Sequence, residues 1–288
     1  MSTFRAAAVQ MRSGIDPAAN LKSAEELIRR AAADGAAYVL TPEMTNILDR
    51  DRRRLLASVK AESEDGSLVR FRDLAAELGI HLHIGSMAIR LGESSVANRA
   101  FLIGPAGDIL ARYDKIHMYD VDLGNGESYR ESRLYSPGAE AVTADLPWTR
   151  LGVTICYDVR FPMLYRALAK AGSSIIAIPA AFTQTTGEAH WHVLLRSRAI
   201  ETGSYVIAAA QGGHHEDGRD TYGHSMIIDP WGRILAEAEQ EPGIIAAEID
   251  PALSAATRQR VPNLANERPF EAPPETSESE TAARLDVA

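Results

Sequence analysis

Residues 101–113 read FLIGPAGDILARY, and residues 226–238 read MIIDPWGRILAEA. Each is an apolar run followed by Pro-x-Gly-x-Ile-Leu-Ala, and each predicts a β-hairpin whose Pro and Gly supply the turn. A second, weaker pair precedes them in the same order: YVLTPE from Tyr38 and IIAIPAA from Ile175. Pro-x-Gly hairpins also recur by chance, so the short match alone leaves duplication and coincidence open. Read as duplication, it predicts two similar sheets packed face to face with helices covering the outside. The strand ends of the two halves would then converge.

Outward from these hairpins, apolar runs alternate with stretches of helical period. RAAAVQM (5–11) and AAYVLTPE (36–43) predict strands. DPAANLKSAEELIRRAAADG (16–35) predicts a helix, with Asp16 as N-cap, Pro17 in the first turn and Gly35 at the stop. SLVRFRDLAAELG (67–79) predicts an amphipathic helix, and HLHIGSMAIR, RAFLIG and ILARYDK predict strands. Residues 116–149 read as loop-rich. Beyond them come a strand (LGVTICY), a helix (FPMLYRALAKAG), a strand (SSIIAIPAAF), a helix (EAHWHVLLRSRAIETG) and two strands (SYVIAAAQ, GIIAAEID). One domain is expected over 1–268, with a flexible tail over 269–288 that is rich in Pro, Glu, Ser and Thr.

With 288 residues, 45% hydrophobic and 24% charged, the chain can bury a core without disulfides or metal. A formal net charge of −9 argues against a nucleic-acid partner, because the average surface repels phosphate. No apolar run reaches the length of a membrane span, and Arg12 interrupts the N-terminal run before it resembles a secretory signal. A cytoplasmic protein acting on a small molecule is the expectation. The single cysteine excludes an intrachain disulfide and any zinc site built on several cysteines.

That cysteine, Cys156, stands in RLGVTICYDVRFPMLY (150–165), where an apolar run gives way to polar residues. As a structural residue it is a small buried hydrophobe. As a functional one it closes a strand ahead of a helix, the junction at which α/β folds present reactive groups. Backbone N–H groups there favour a thiolate or an oxyanion. A thiol needs a base or a cation to act at neutral pH. None of the eight histidines forms a local Cys–His pattern, and His190 and His192, two apart on a helix, make a poor metal pair. Glu43 and Lys115 each close a strand, either as solvated ends or as partners of the cysteine. Ser225 in YGHSM lacks the Gly-x-Ser-x-Gly of a nucleophile elbow, and no dinucleotide-binding or Walker pattern occurs.

Three separated motifs make a set of these candidates: LTPEM around Glu43, YDKIHMYD around Lys115 and ICYDVRFP around Cys156. YRESRLYSPG, holding Glu131, lies between the last two. In this order the motifs resemble the nitrilase superfamily of carbon–nitrogen hydrolases, across nearly all of residues 4–262. The resemblance implies an α/β fold, a four-layer α-β-β-α sandwich of two pseudo-repeated halves, pairing into a homodimer or higher homo-oligomer. It also implies a Glu–Lys–Cys triad acting on a small-molecule amide with no metal or organic cofactor. Carried over position by position, Glu43 is the general base, Lys115 the cation on the oxyanion side and Cys156 the nucleophile. Glu131 matches a second glutamate that orients the lysine or the substrate. The backbone N–H of Tyr157 would join Lys115 at the oxyanion, and the lysine charge would favour the thiolate. Lys115→Ala is expected to be nearly inactive yet folded.

Residues 189–237 further resemble the branch of these amidases that hydrolyses deaminated glutathione, through the segments AHW, LLRSRAIE, AAAQGGHHEDG and YGHSMIIDPWG. That implies cleavage to 2-oxoglutarate and cysteinylglycine. An ω-amidase, an N-carbamoyl amide hydrolase and a catalytically silent binding protein of this fold stay open as alternatives. A substrate carrying carboxylates needs a cationic patch on a net negative chain. Arg160, Arg196 and Arg198 are candidates for it. Phe182, Thr183 and Thr186 are candidates for the pocket wall, and 120–132 for its entrance.

Overall fold

The Asp16 side chain accepts a hydrogen bond from the Ala18 amide at 2.9 Å, and Pro17 opens the helix behind it, so the expected cap and first turn form together. The same economy runs through a computed structural model that describes residues 2–124 and 126–274. Its strands in chain order are β1 (Phe4–Gln10), β2 (Tyr38–Leu40), β3 (His81–Arg90), β4 (Val96–Ile103), β5 (Ile109–Asp114), β6 (Asp120–Gly124), β7 (Glu127–Arg130) and β8 (Val142–Asp145). There follow β9 (Arg150–Val153), β10 (Ile175–Ala177), β11 (Tyr205–Ala208), β12 (Gly212–His214), β13 (Asp220–Tyr222), β14 (Met226–Ile228), β15 (Ile234–Glu237) and β16 (Gly243–Ile249). The helices are α1 (Pro17–Ala33), α2 (Arg52–Ser58), α3 (Gly66–Leu78), α4 (Pro162–Lys170), α5 (Gln184–Thr202) and α6 (Pro251–Arg260).

One six-stranded sheet runs β16-β1-β2-β3-β4-β5 and the other β15-β14-β11-β10-β9-β8. In each, three parallel strands lead into an antiparallel hairpin, β4–β5 in the first and β14–β15 in the second. The two hairpin turns match atom for atom. Gly107 donates to the Gly104 carbonyl and Gly232 to the Asp229 carbonyl, both at 2.9 Å. Both glycines are left-handed, with φ of 78° and 82°, a conformation that a side chain disfavours. The pseudo-repeat is therefore a property of the backbone as well as of the lettering.

Alternation along β1 explains the layers. Phe4, Ala6 and Ala8 pack in the core between the sheets, with Leu151, Val153 and Ile175 of the second sheet, while Ala7 and Val9 face Leu27, Ile28 and Phe71 of α1 and α3. On the other side α4 and α5 add Leu168, Trp191 and Leu195. The result is the four-layer α-β-β-α sandwich.

Several boundaries differ from the expectation. The 116–149 stretch is not all loop: it holds the β6–β7 hairpin and β8, whose polar letters hide their pairing. The strand expected over LGVTICY ends at Val153, and Cys156 begins a short 3₁₀ turn instead. The helix expected from Glu188 starts four residues earlier, at Gln184. Of the tail expected over 269–288, residues 269–274 are exposed and without regular structure, and 275–288 lie outside the described residues.

Candidate active site

Glu43 follows β2 on a turn that β3 holds from beneath. At Gly85–Ser86 the β3 register shifts, and Ser86 donates to the Pro42 carbonyl while its hydroxyl and carbonyl accept from the Met44 and Thr45 amides. A Cβ on Gly85 would sit 2.0 Å from the Thr41 carbonyl oxygen, so only glycine lets the strand approach this closely. The Gln211 side-chain amide donates to the Glu43 carbonyl at 2.9 Å. With its backbone fixed, the Glu43 carboxylate is buried. Its Oε1 accepts from Lys115 Nζ at 2.9 Å and Asn98 Nδ2 at 2.8 Å, and its Oε2 from the Ala181 amide at 2.8 Å.

Lys115 leaves the end of β5 with its own amide on the Asn98 carbonyl at 2.9 Å. Its side chain, 2% exposed, also donates to both oxygens of Glu131, at 3.0 and 2.8 Å. Glu131 sits on the short turn after β7, and the Tyr119 amide donates to its Oε2 at 2.7 Å. One ammonium thus bridges two carboxylates, and the Asn98 amide spans the same two.

Cys156 completes the group. Its φ of 49° is a left-handed conformation that a non-glycine residue holds only when its surroundings impose it. Its amide donates to the Pro179 carbonyl at 2.8 Å, and the Asp158 carboxylate accepts from the Ile155 amide just before it. Because the Cys156 amide is engaged, the Tyr157 amide is the next backbone donor along the turn. The sulfur opens onto a cavity of about 560 Å³ shared with Glu43, Lys115 and Glu131.

Burial opposes the charge on Glu43, yet Lys115 and the surrounding donors hold its carboxyl below the usual value. Burial likewise opposes the Lys115 ammonium, and the carboxylates of Glu131 and Glu43 outweigh it and hold its pKa well above normal. Burial and then the Glu43 charge push the Cys156 thiol well up, against the pull of Lys115. The Lys115 charge pulls toward the thiolate, in the expected direction, and burial with the Glu43 charge outweighs it. The resting arrangement is a thiol beside a carboxylate. It can move a proton from sulfur to Glu43.

The wall residues Tyr157, Phe182, Thr183 and Thr186 line the cavity, with Thr186 already in the first turn of α5. Arg160 lies behind that wall, its guanidinium over the rings of Phe182 and Tyr157 at 5.3 and 5.9 Å and bonded to His190. Arg198 and Arg196 are not pocket cations. The first is buried on the Val159 carbonyl and Glu201, the second bonds the Gly232 carbonyl on the outer side of α5. The cavity instead draws its positive charge from Arg50, Arg52, Arg130, Arg133 and Arg219. None of these is among the cations expected from the sequence: Arg50 and Arg52 stand in DRDRRR and Arg130 and Arg133 on either side of Glu131, basic clusters that could have pointed to them, whereas Arg219 stands apart and nothing local in VANRAF marks Asn98 as a site residue. His190 and His192 turn to different partners, Arg160 and Glu237.

An α-β-β-α sandwich with a buried Glu–Lys–Glu group facing one thiol has the architecture of a carbon–nitrogen bond hydrolase, and the chain belongs to the carbon-nitrogen hydrolase family, whose pattern it matches over residues 5–259. Among particular relatives, it is 41% identical over 268 residues to the deaminated glutathione amidase of Synechocystis, covering 92% of this chain and 98% of that one. Its fold superposes on the Caenorhabditis elegans NitFhit protein with a TM-score of 0.87 at 33% identity, covering 93% of this chain but only 66% of that longer one. A nitrilase-superfamily amidase from Nesterenkonia sp. AN1 superposes with a TM-score of 0.78 at 27% identity, covering 92% of this chain and 94% of that one. That structure carries the acetamide moiety of fluoroacetamide added covalently at its active-site cysteine.

Proposed function

We propose that this carbon-nitrogen hydrolase is a cysteine-dependent amidase that cleaves deaminated glutathione to 2-oxoglutarate and cysteinylglycine. The observation that carries the reading is the buried carboxylate of Glu43, bonded to the Lys115 ammonium at 2.9 Å and sharing one open cavity with the Cys156 thiol. Glu43 takes the thiol proton as sulfur bonds to the amide carbon. Lys115 and the Tyr157 amide bear the charge that gathers on the carbonyl oxygen. As the C–N bond breaks, Glu43 returns its proton to the dipeptide's nitrogen, leaving a thioester on Cys156. Water then gives a proton to Glu43 and its oxygen to the acyl carbon. The sulfur departs, takes that proton back and restores the thiol. Glu131 holds Lys115 throughout by accepting from its ammonium with both carboxylate oxygens.

Arginines at the cavity favour this substrate over an uncharged amide. Among the described residues Arg50, Arg52 and Arg133 have no carboxylate within ion-pair distance, whereas Arg130 and Arg219 are held by Asp122 and Asp217, so the first three leave their charge open to the substrate's own carboxylates. The second reading, an ω-amidase acting on 2-oxoglutaramate, draws on the same features. Product analysis on both compounds side by side, wild type against Cys156→Ala, decides between them. Cysteinylglycine release by the wild type alone supports the proposal, and equal or better turnover of 2-oxoglutaramate reassigns it.

A homodimer and a cytoplasmic setting belong to the same reading. Val193 and Ile200 stand exposed on one face of α5, and Ile200 abuts the turn that bears exposed Trp231, with exposed Met163 on neighbouring α4. Apolar groups clustered in this way favour a partner surface. No helix among the described residues is long and apolar enough to cross a membrane.

A further inference from the structure

The carboxylate of Asp158 is fully buried, lies outside the cavity and has no part in the steps above. It nevertheless accepts four hydrogen bonds. Oδ2 takes the Tyr113 hydroxyl at 2.6 Å and the Ile155 amide at 2.9 Å. Oδ1 takes the His117 amide at 3.1 Å and faces the His117 ring Nδ1 at 2.7 Å. Tyr113 and His117 stand two residues before and two residues after Lys115. Ile155 directly precedes Cys156. One side chain therefore grips the lysine segment on both sides and the nucleophile turn at its hinge. The ring of His117 stacks on Phe161 with centroids 3.5 Å apart, which ties the far end of the same turn to the same segment.

We infer that Asp158 is a positioning residue that sets the separation of Cys156 from Lys115, joining two segments that are distant in the chain and lie in different sheets. A buried carboxylate suits this task because it accepts from several directions at once, and each donor it holds is a backbone or ring group of a segment bearing a reacting side chain. It also supplies part of the constraint that keeps Cys156 left-handed. Loosening it would let the turn relax toward ordinary backbone angles and draw the sulfur off line. Reaction geometry is sensitive to displacements of about 1 Å, which can cost about 100-fold in rate.

Asp158→Asn keeps the shape but turns an amide N–H₂ toward groups that are themselves donors, and the backbone amides of Ile155 and His117 cannot reverse their roles. Tyr113→Phe removes one of the four donors, from a buried side chain that does not line the cavity. With deaminated glutathione as substrate, well below each variant's unfolding temperature, Asp158→Asn should lower kcat by about 100-fold with KM within about threefold. The alkylation of Cys156 by iodoacetamide should slow alongside. Tyr113→Phe should lower kcat by a smaller factor in the same pattern. A role confined to stability would lower the unfolding temperature and leave kcat and the alkylation rate at wild-type values, which overturns the inference. If Asp158→Asn does not fold, Tyr113→Phe decides alone, and an unchanged kcat there overturns it. The inference rests on the proposed amidase reading, but the two fail differently: an inactive wild type defeats that reading, whereas an active wild type with equally active variants defeats only the role of Asp158.

Discussion

A protonated thiol beside an ionised carboxylate fixes the direction in which the proton must travel before sulfur can attack. Glu43 must be charged for that step, and its carboxyl sits below the usual value of 4.5. Wild-type kcat/KM should therefore hold as pH falls from neutral and decline only below that value. Asn98 donates to the Glu43 carboxylate, so Asn98→Ala weakens the charged form and raises its pKa. The acid limb of the kcat/KM profile should move to higher pH, and an unmoved limb would remove Asn98 from the account. The linkage to stability has the same sign. A depressed carboxyl stabilises the fold above its unfolded-state pKa, and that contribution is lost as pH falls through the folded-state pKa. Lys115→Ala, expected to be nearly inactive yet folded, should also lose stability, because the ammonium is the shared partner of the buried Glu43 carboxylate and the partly buried Glu131 carboxylate. Removing it should cost about 3–5 kcal/mol of stability along with at least about 100-fold in kcat, read by chemical denaturation and by turnover. Cys156, Glu43 and Lys115 stood out as strand-end candidates, and it was the resemblance carried by their three motifs in order that made a set of them. Asn98 did not stand out, since a polar residue inside a strand announces its role only through what lies across from it.

At the scale of elements, the bulge in β3 does for Glu43 what the turn after β9 does for Cys156. Gly85 permits the approach, and Ser86 pins the residues on either side of the glutamate. Gly85→Ala forces a methyl group against backbone that cannot rotate away. It should destabilise by about 1–3 kcal/mol and, by shifting Glu43, lower kcat/KM more than it raises KM. Full activity in that variant would show that the turn does not depend on the close contact. Long periodic elements such as α1, α3, β3 and the paired hairpins followed from the sequence, because hydrophobic period and turn chemistry agree in them. β6, β7 and β8 did not, since their alternation is half polar and their pairing is set by a neighbour. Arg198 misled for a related reason: a charged letter on a helix says nothing of which side faces the core, and here its guanidinium is satisfied by the Val159 carbonyl.

In the whole molecule, the final strand shows where local reading stops. β16 follows the second hairpin yet crosses to pair with β1 in the first sheet, with Ala6 opposite Ala247. No feature of GIIAAEID names that partner. This crossing knits the halves together, and the site lies where their strand ends meet. The exposed apolar face of α4, α5 and the β14–β15 turn predicts a dimer. Sedimentation of the wild type should give twice the chain mass, and a combined Ile200→Glu and Trp231→Glu variant should sediment as a monomer. A monomeric wild type would leave that face unexplained. The central claim concerns one covalent bond. Rapid quenching with deaminated glutathione, followed by peptide mass mapping, should find a 2-oxoglutaryl group on the peptide holding Cys156, and none in Cys156→Ala, which should release no cysteinylglycine. Turnover by that variant, or steady turnover with the sulfur never modified, would contradict the account.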